Sequence, residues 1–278
     1  MKLLPNFLVK RLHRAARRIA FSKRQNFIII TSILTTGLLL TQLVSIDMRY
    51  PMVITLSVAA YCLAAFGLRE DLKGIEWLTL LTLPTLFTTG VSLFYFLLPV
   101  RWLTRLPIAV LYAIGIYALL LTENIFSVAK IRSIALLRAA HSIGFLLSLL
   151  SYFLIIQTIL AYRFELYVES IAIVILSFAL LLQSLWCIEL EEKVSSRLIQ
   201  ITIGLTLILV EFAWIFYFWP VNRTLVALLL TTCYYTAAGM AQQYLVEKLY
   251  KRTITEFIIV AGLVFIIVLS VSRWRGAM

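Results

Sequence analysis

Charge is scarce in this chain of 278 residues: Asp, Glu, Lys and Arg together make up only 14%. A soluble globular domain carries about a quarter, so a water-soluble enzyme and a disordered tail are excluded. Acid is scarcer still, with 13 Asp plus Glu against 25 Lys plus Arg, and no acidic residue precedes Asp47. Two histidines, His13 and His141, are too few for a histidine-rich metal site. The three cysteines, Cys62, Cys187 and Cys233, lie far apart inside apolar runs and match no zinc or CxxC spacing. They read as small hydrophobes. Gly-x-Ser-x-Gly and Walker patterns are absent, so no serine-nucleophile or nucleotide chemistry is indicated. Glu191-Glu192-Lys193-Val194-Ser195-Ser196-Arg197 approaches an intramembrane metalloprotease motif, but the acid-to-Arg197 spacing is one residue too long and the partner histidines are missing. No catalytic residue, metal or cofactor is assigned.

What the chain has in abundance is hydrocarbon, with 62% hydrophobic residues. Nine apolar runs stand out, at 27–46, 51–68, 75–98, 106–123, 139–161, 168–188, 198–219, 224–245 and 254–272. About 20 apolar residues cross a bilayer as a helix. In lipid only helices and closed barrels satisfy their own backbone. Barrel strands alternate polar and apolar residues, and Phe257 to Leu269 shows no alternation. The fold class expected is therefore all-α: a polytopic transmembrane bundle of about nine helices, with residues 1–25 as a basic arm and 26–278 as the bundle.

Basic residues favour the cytoplasmic side of a membrane. With the N-terminus inside, the cytoplasmic segments hold 18 Lys plus Arg and the outer ones 7. The arm decides this bias, since it alone contributes 8. A nine-span chain then ends outside. In the arm, Leu8, Leu12, Ala15 and Ile19 recur at helical spacing, with Lys10, Arg14 and Arg17 on another face. Such a helix lies on an anionic leaflet, with Lys10, Arg11, Arg14, Arg17 and Arg18 against lipid headgroups. An Arg-rich, acid-poor start also fits a mitochondrial presequence. The +12 net charge thus reads as membrane orientation, not as nucleic-acid binding. The sequon Asn222-Arg223-Thr224 sits in a loop too short for a glycan acceptor.

Landmarks recur at a fixed offset. Glu70-Asp71 answers Glu191-Glu192 at 121, Phe94-Tyr95-Phe96 answers Phe216-Tyr217-Phe218 at 122, and Pro99-Val100 answers Pro220-Val221 at 121. They point to a parallel duplication of a four-helix unit, 51–161 and 168–272, after one leading helix. Some transporters are built this way. The alternative is chance recurrence of aromatic-Pro-Val turns at span ends.

Glu211 is the single acid deep within a span, and an intramembrane carboxylate is a functional-site hypothesis by default. Gly204 shares its helical face. Pro84, with Thr85 and Thr88, breaks the third span near the corresponding point. Paired breaks in two repeats point to a transporter site, so the expected site lies between spans 3 and 7. The bland alternative is a protonated Glu211 bonded to a neighbouring helix. A second polar group, Glu123, Asn124, Arg138 and His141, is placed near the inner interface, as a proton relay, a headgroup site or an orienting salt-bridge network.

The stretches Thr122–Lys130 and Leu136–Phe145 resemble segments of uncharacterised multi-pass membrane proteins of candidate-phylum bacteria. The resemblance implies a bacterial cytoplasmic membrane and a single domain, and brings no functional residue. Two functions are expected from different classes: permease-like transport of a small solute or ion, or a non-catalytic scaffold or assembly factor that binds membrane proteins or lipids. A homo-oligomer fits either.

Overall fold

The structure is a computed structural model that describes residues 22–41, 48–69, 72, 74–98, 102–129, 136–191 and 193–272. The arm residues Lys10, Arg11, Arg14, Arg17 and Arg18 lie outside the described residues. So do the landmarks Glu70-Asp71, Pro99-Val100 and Glu192. Among the described residues the chain forms nine α-helices. They are α1 (Lys23–Leu40), α2 (Arg49–Leu68), α3 (Glu76–Leu97), α4 (Trp102–Ala129), α5 (Leu137–Ala161), α6 (Leu166–Glu189), α7 (Ser196–Tyr217), α8 (Arg223–Leu245) and α9 (Lys251–Val271). The architecture is an all-α polytopic bundle. Eight helices, α2 to α9, are long and apolar enough to cross a membrane. The first turn of α1 is Lys23-Arg24-Gln25-Asn26, and its apolar stretch is correspondingly short.

Local sequence explains where several helices begin. Ser22 and Gln25 form a reciprocal capping box at α1. The Ser195 hydroxyl accepts from the Leu198 N–H at α7, and Asn222 accepts from Thr224 at α8. The Asn222 of the sequon is thus a helix cap. Leu190 after α6 and Glu247 after α8 adopt left-handed backbone and stop those helices. Inside α3, Pro84 has no N–H to give. Thr85 and Thr88 turn their hydroxyls back to the Leu81 and Pro84 carbonyls at 2.7 and 2.8 Å.

Successive helices alternate in direction. The end at which α1 begins is called the near end, and the opposite one the far end. The core lies where α3, α5 and α6 pack on one another, with α8 against α5 and α6. Helices α1, α2 and α4 cover one flank, while α7 and α9 lie on the other. Small residues permit the closest approaches: a Cβ on Gly90 of α3 would stand 3.4 Å from the Ser151 carbonyl oxygen of α5. Of α9 only Val268 is buried.

The two proposed four-helix units pack differently. In the first, its second and fourth helices, α3 and α5, pack directly. In the second, the corresponding α7 and α9 flank an apolar groove closed at its base by α8.

Candidate functional site

Lipid supplies no hydrogen bonds, so buried polar groups must find one another. Along α6, Ser170, Ser177 and Ser184 recur every seven residues and therefore share one face. That face, from Glu169 to Cys187, spans about 27 Å at 1.5 Å per residue. This is close to the thickness of a hydrocarbon core, about 30 Å. It meets polar side chains of α5 and α8 along its length.

At the far end the Glu169 carboxylate, 3% exposed, faces the Arg223 guanidinium of α8 at 3.5 Å. Ser170 accepts the indole N–H of Trp214 at 2.7 Å, tying α7 to α6. Deeper, Tyr152 of α5 and Ser177 pair their hydroxyls at 3.1 Å. The Tyr152 ring stacks on Tyr234 of α8. Tyr234 reaches Ser148 of α5 at 2.7 Å. Towards the near end, Ser184 accepts the Gln242 amide of α8 at 2.7 Å. Tyr152, Tyr234, Ser148 and Ser177 are all essentially inaccessible to solvent.

At the near end lies Glu123 of α4. Its carboxyl group is fully buried, and neither oxygen finds a hydrogen-bond partner among the described residues. The Cys187 thiol is within electrostatic reach of both Glu123 and Tyr234. The Cys187 carbonyl meets His141 Nε2 at 2.9 Å, and the His141 ring stacks on Phe126 one turn beyond Glu123. A cavity of about 10 Å³ opens between His141, Gln183, Ser184 and Gln242. That is room for about one water, with enough polar partners to hold it. Seryl and tyrosyl hydroxyls both donate and accept, so each of these pairs can act in either direction.

The residues singled out in the sequence fall into three places. Glu123 and His141 come together around Cys187. Asn124, beside Glu123, keeps a buried Oδ1 without a partner among the described residues. Arg138 is exposed and stands outside this cluster. Pro84 and Thr88 are buried on the side of α3 that faces α4, where Thr88 meets the Tyr112 hydroxyl at 3.0 Å. Thr85 is half-buried. Glu211 and Gly204 lie on the exposed face of α7, and a Cβ on Gly204 would enter open space. Helices α3 and α7 each pack on α6. The structure therefore does not bring Glu211 and Gly204 together with Pro84, Thr85 and Thr88. The reason is rotational: the polar face of α6 turns to α5 and α8, and Glu211 points away from the bundle.

Sequence reasoning missed Glu169, Ser148, Tyr152, Ser170, Ser177, Ser184 and Tyr234. The seven-residue repeat of Ser170, Ser177 and Ser184 is a signal for these three alone; the others carry none in the sequence.

No curated protein and no solved structure matches the chain. The resemblance of Leu136–Phe145 to uncharacterised membrane proteins has its counterpart in a family-model match. Residues 135–271, just under half of the chain and running from α5 through α9, match the family described as "Protein of unknown function (DUF5656)".

Proposed function

We propose that this is a permease-like protein that carries protons or a small cation along the α5–α6–α8 column, with Glu123 as the acid at its near end. The observation that carries the reading is Glu123 itself. A buried carboxyl group without partners is costly, and such residues within membrane bundles mark ion pathways and proton relays. Its position at the near end of the buried hydroxyl pairs, which extend from Ser170 to Ser184 over about 21 Å of α6, supports the same reading. The near end is then the cytoplasmic side. The surplus of basic residues on the inner segments, 18 against 7, supports that orientation, and a bacterial cytoplasmic membrane is the proposed location.

The test is proton flux into vesicles that contain the purified chain, driven by a potassium diffusion potential and read with an internal pH dye. Flux well above that of empty vesicles is expected, with a loss of at least tenfold in Glu123→Gln and a partial loss in Tyr152→Phe. Flux equal to that of empty vesicles, or unchanged in Glu123→Gln, would reject the reading.

One observation favours the scaffold reading. Glu211 presents a carboxylate on an apolar, outward face of α7 beside the exposed Ile203, Leu207 and Ile215. A partner helix with a matching donor would satisfy it. Co-purification of a membrane protein that is lost in Glu211→Leu is the expected sign.

A further inference from the structure

Helix α7 packs on the bundle through Leu198, Thr202, Leu209 and Ala213. Its opposite face carries Gln200, Gly204, Leu207 and Glu211, all exposed. At 3.6 residues per turn these four fall within an arc of about 60°. Their spacing of four, three and four residues is that of the seam between two paired helices. Gln200 stands about 6 Å from the near end of α7 and Glu211 about 9 Å from its far end, so both lie within the span. Neither has a hydrogen-bond or ionic partner among the described residues. Glycine is a poor helix former, and a Cβ on Gly204 would meet nothing within 4 Å. Packing inside the chain therefore does not call for a glycine here. On an outward face in lipid, a small residue lets a second helix come close.

The chemistry of the seam selects the second helix. Two copies in one membrane share an orientation, so a two-fold axis between them runs along the membrane normal. Each residue on that axis then meets its own copy at its own depth, and only groups that are their own complement fit there. A carboxamide and an un-ionised carboxyl group each hold a donor and an acceptor, and hydrocarbon favours the un-ionised form. Both polar residues of the seam meet this condition, with Gly204 between them. Arg197, one turn earlier, does not, and its guanidinium is turned aside onto the Tyr244 ring of α8, 4.8 Å from the centroid.

We propose that α7 pairs with α7 of a second copy about this axis, closest at Gly204, with the two Glu211 carboxyl groups hydrogen-bonded to each other. The proposal rests on the reading of Glu211 as a partner contact and names the partner. No residue of the seam belongs to the α5–α6–α8 column, so pairing and proton flux succeed or fail separately.

The experiment measures self-association of the purified full chain in lipid vesicles, by energy transfer between copies labelled at the C-terminus. A dimer is expected. Glu211→Leu and Gly204→Leu, both at exposed positions, should each weaken it at least tenfold. Glu211→Gln, still its own complement, should keep most of it. In a chain carrying Cys62→Ser, which removes an exposed thiol, Leu207→Cys should form a disulfide between copies on mild oxidation. Leu205→Cys, on the side of α7 that lines the groove, should not. An unaltered chain that stays monomeric would overturn the proposal. So would a dimer that survives either leucine variant, or one linked through Leu205→Cys and not through Leu207→Cys. Capture of a different membrane protein, lost in Glu211→Leu while the chain itself stays monomeric, would overturn the pairing and leave the scaffold reading standing.

Discussion

The Tyr234 ring lies on the Tyr152 ring with centroids 4.5 Å apart and planes 15° from parallel. The two hydroxyls then diverge, Tyr234 to Ser148 on α5 and Tyr152 to Ser177 on α6. One stacked pair thus pins three helices at the middle of the bundle, and it joins the near and far parts of the polar column.

That pairing separates packing from hydrogen bonding. Tyr234→Phe keeps the stacked ring and frees Ser148 to turn to its own helix. Its cost should be about 1 kcal/mol, the usual scale of an interhelical hydrogen bond in a membrane bundle. Tyr234→Ala also leaves a cavity and should cost about 3–5 kcal/mol. Reversible unfolding in mixed micelles measures both. Equal costs would mean that the hydroxyl, not the ring, holds the helices.

Glu169 and Arg223 form a pair in which only the cation reaches solvent, with side chains 3% and 33% exposed. Removing the cation strands a buried carboxylate, whereas removing the acid leaves an arginine that can reach water. Arg223→Ala should therefore destabilise by about 1–3 kcal/mol, less than a fully buried pair loses because the arginine is partly screened. Glu169→Gln should cost less, and Arg223→Ala with Glu169→Gln should recover part of the loss. The same unfolding assay gives the sign, and a double variant worse than the sum of the singles would contradict the pairing.

A Cβ on Gly115 of α4 would stand 2.6 Å from Phe87 Cζ of α3, a ring that also stacks on Tyr112. Gly115→Val should force α3 and α4 apart and destabilise by about 1–3 kcal/mol. Phe87→Leu in the same chain shortens the obstructing side chain and should restore much of the loss. Failure of that rescue would place the strain elsewhere.

The nine apolar runs became nine helices because a membrane span advertises itself by length and composition alone. Which way each helix faces is a different matter. Lipid-exposed and buried faces are both apolar, so the amphipathic pattern that orients a helix in a soluble protein is weak here. Glu211 therefore read as a bundle-lining acid when it points outward. The end of the helix that carries Glu123 differs from the sequence expectation for another reason. Thr122-Glu123-Asn124 ended the expected run at 123, yet α4 continues to Ala129. It does so because Phe126 still packs against α5, stacked on His141 and close to Gly144. An acid expected at a span's end is consequently a full turn and more inside a helix. Pro84 and its threonines looked available for a solute because the sequence does not show hydroxyls folding back onto their own carbonyls.

The basic arm rests on sequence alone and has its own test. Reconstituted into anionic vesicles, the arm should be protected from trypsin at Lys10, Arg11, Arg14, Arg17 and Arg18. Neutral vesicles should give no such protection. Half-molar salt should abolish it, since screening shortens the reach of surface charge to a few ångströms. Equal cleavage in both vesicles would remove the headgroup role.

Glu211 decides between lipid and a partner at the α7 face. If that face meets lipid, replacing the carboxylate by an apolar side chain removes a penalty. The penalty reaches about 2.5–3.5 kcal/mol at the middle of a span and less at Glu211, about 9 Å from the end of α7 at 1.5 Å per residue. Glu211→Leu should then stabilise the chain in a bilayer by about 1–2 kcal/mol, with no change in oligomeric state. If the face meets another protein, the same substitution removes the polar anchor. The complex should then dissociate on size-exclusion chromatography while the isolated chain is stabilised as before. The two readings thus share one sign for stability and differ in assembly. Destabilisation of the isolated chain by Glu211→Leu would contradict both, because it would require a partner for Glu211 within the bundle itself.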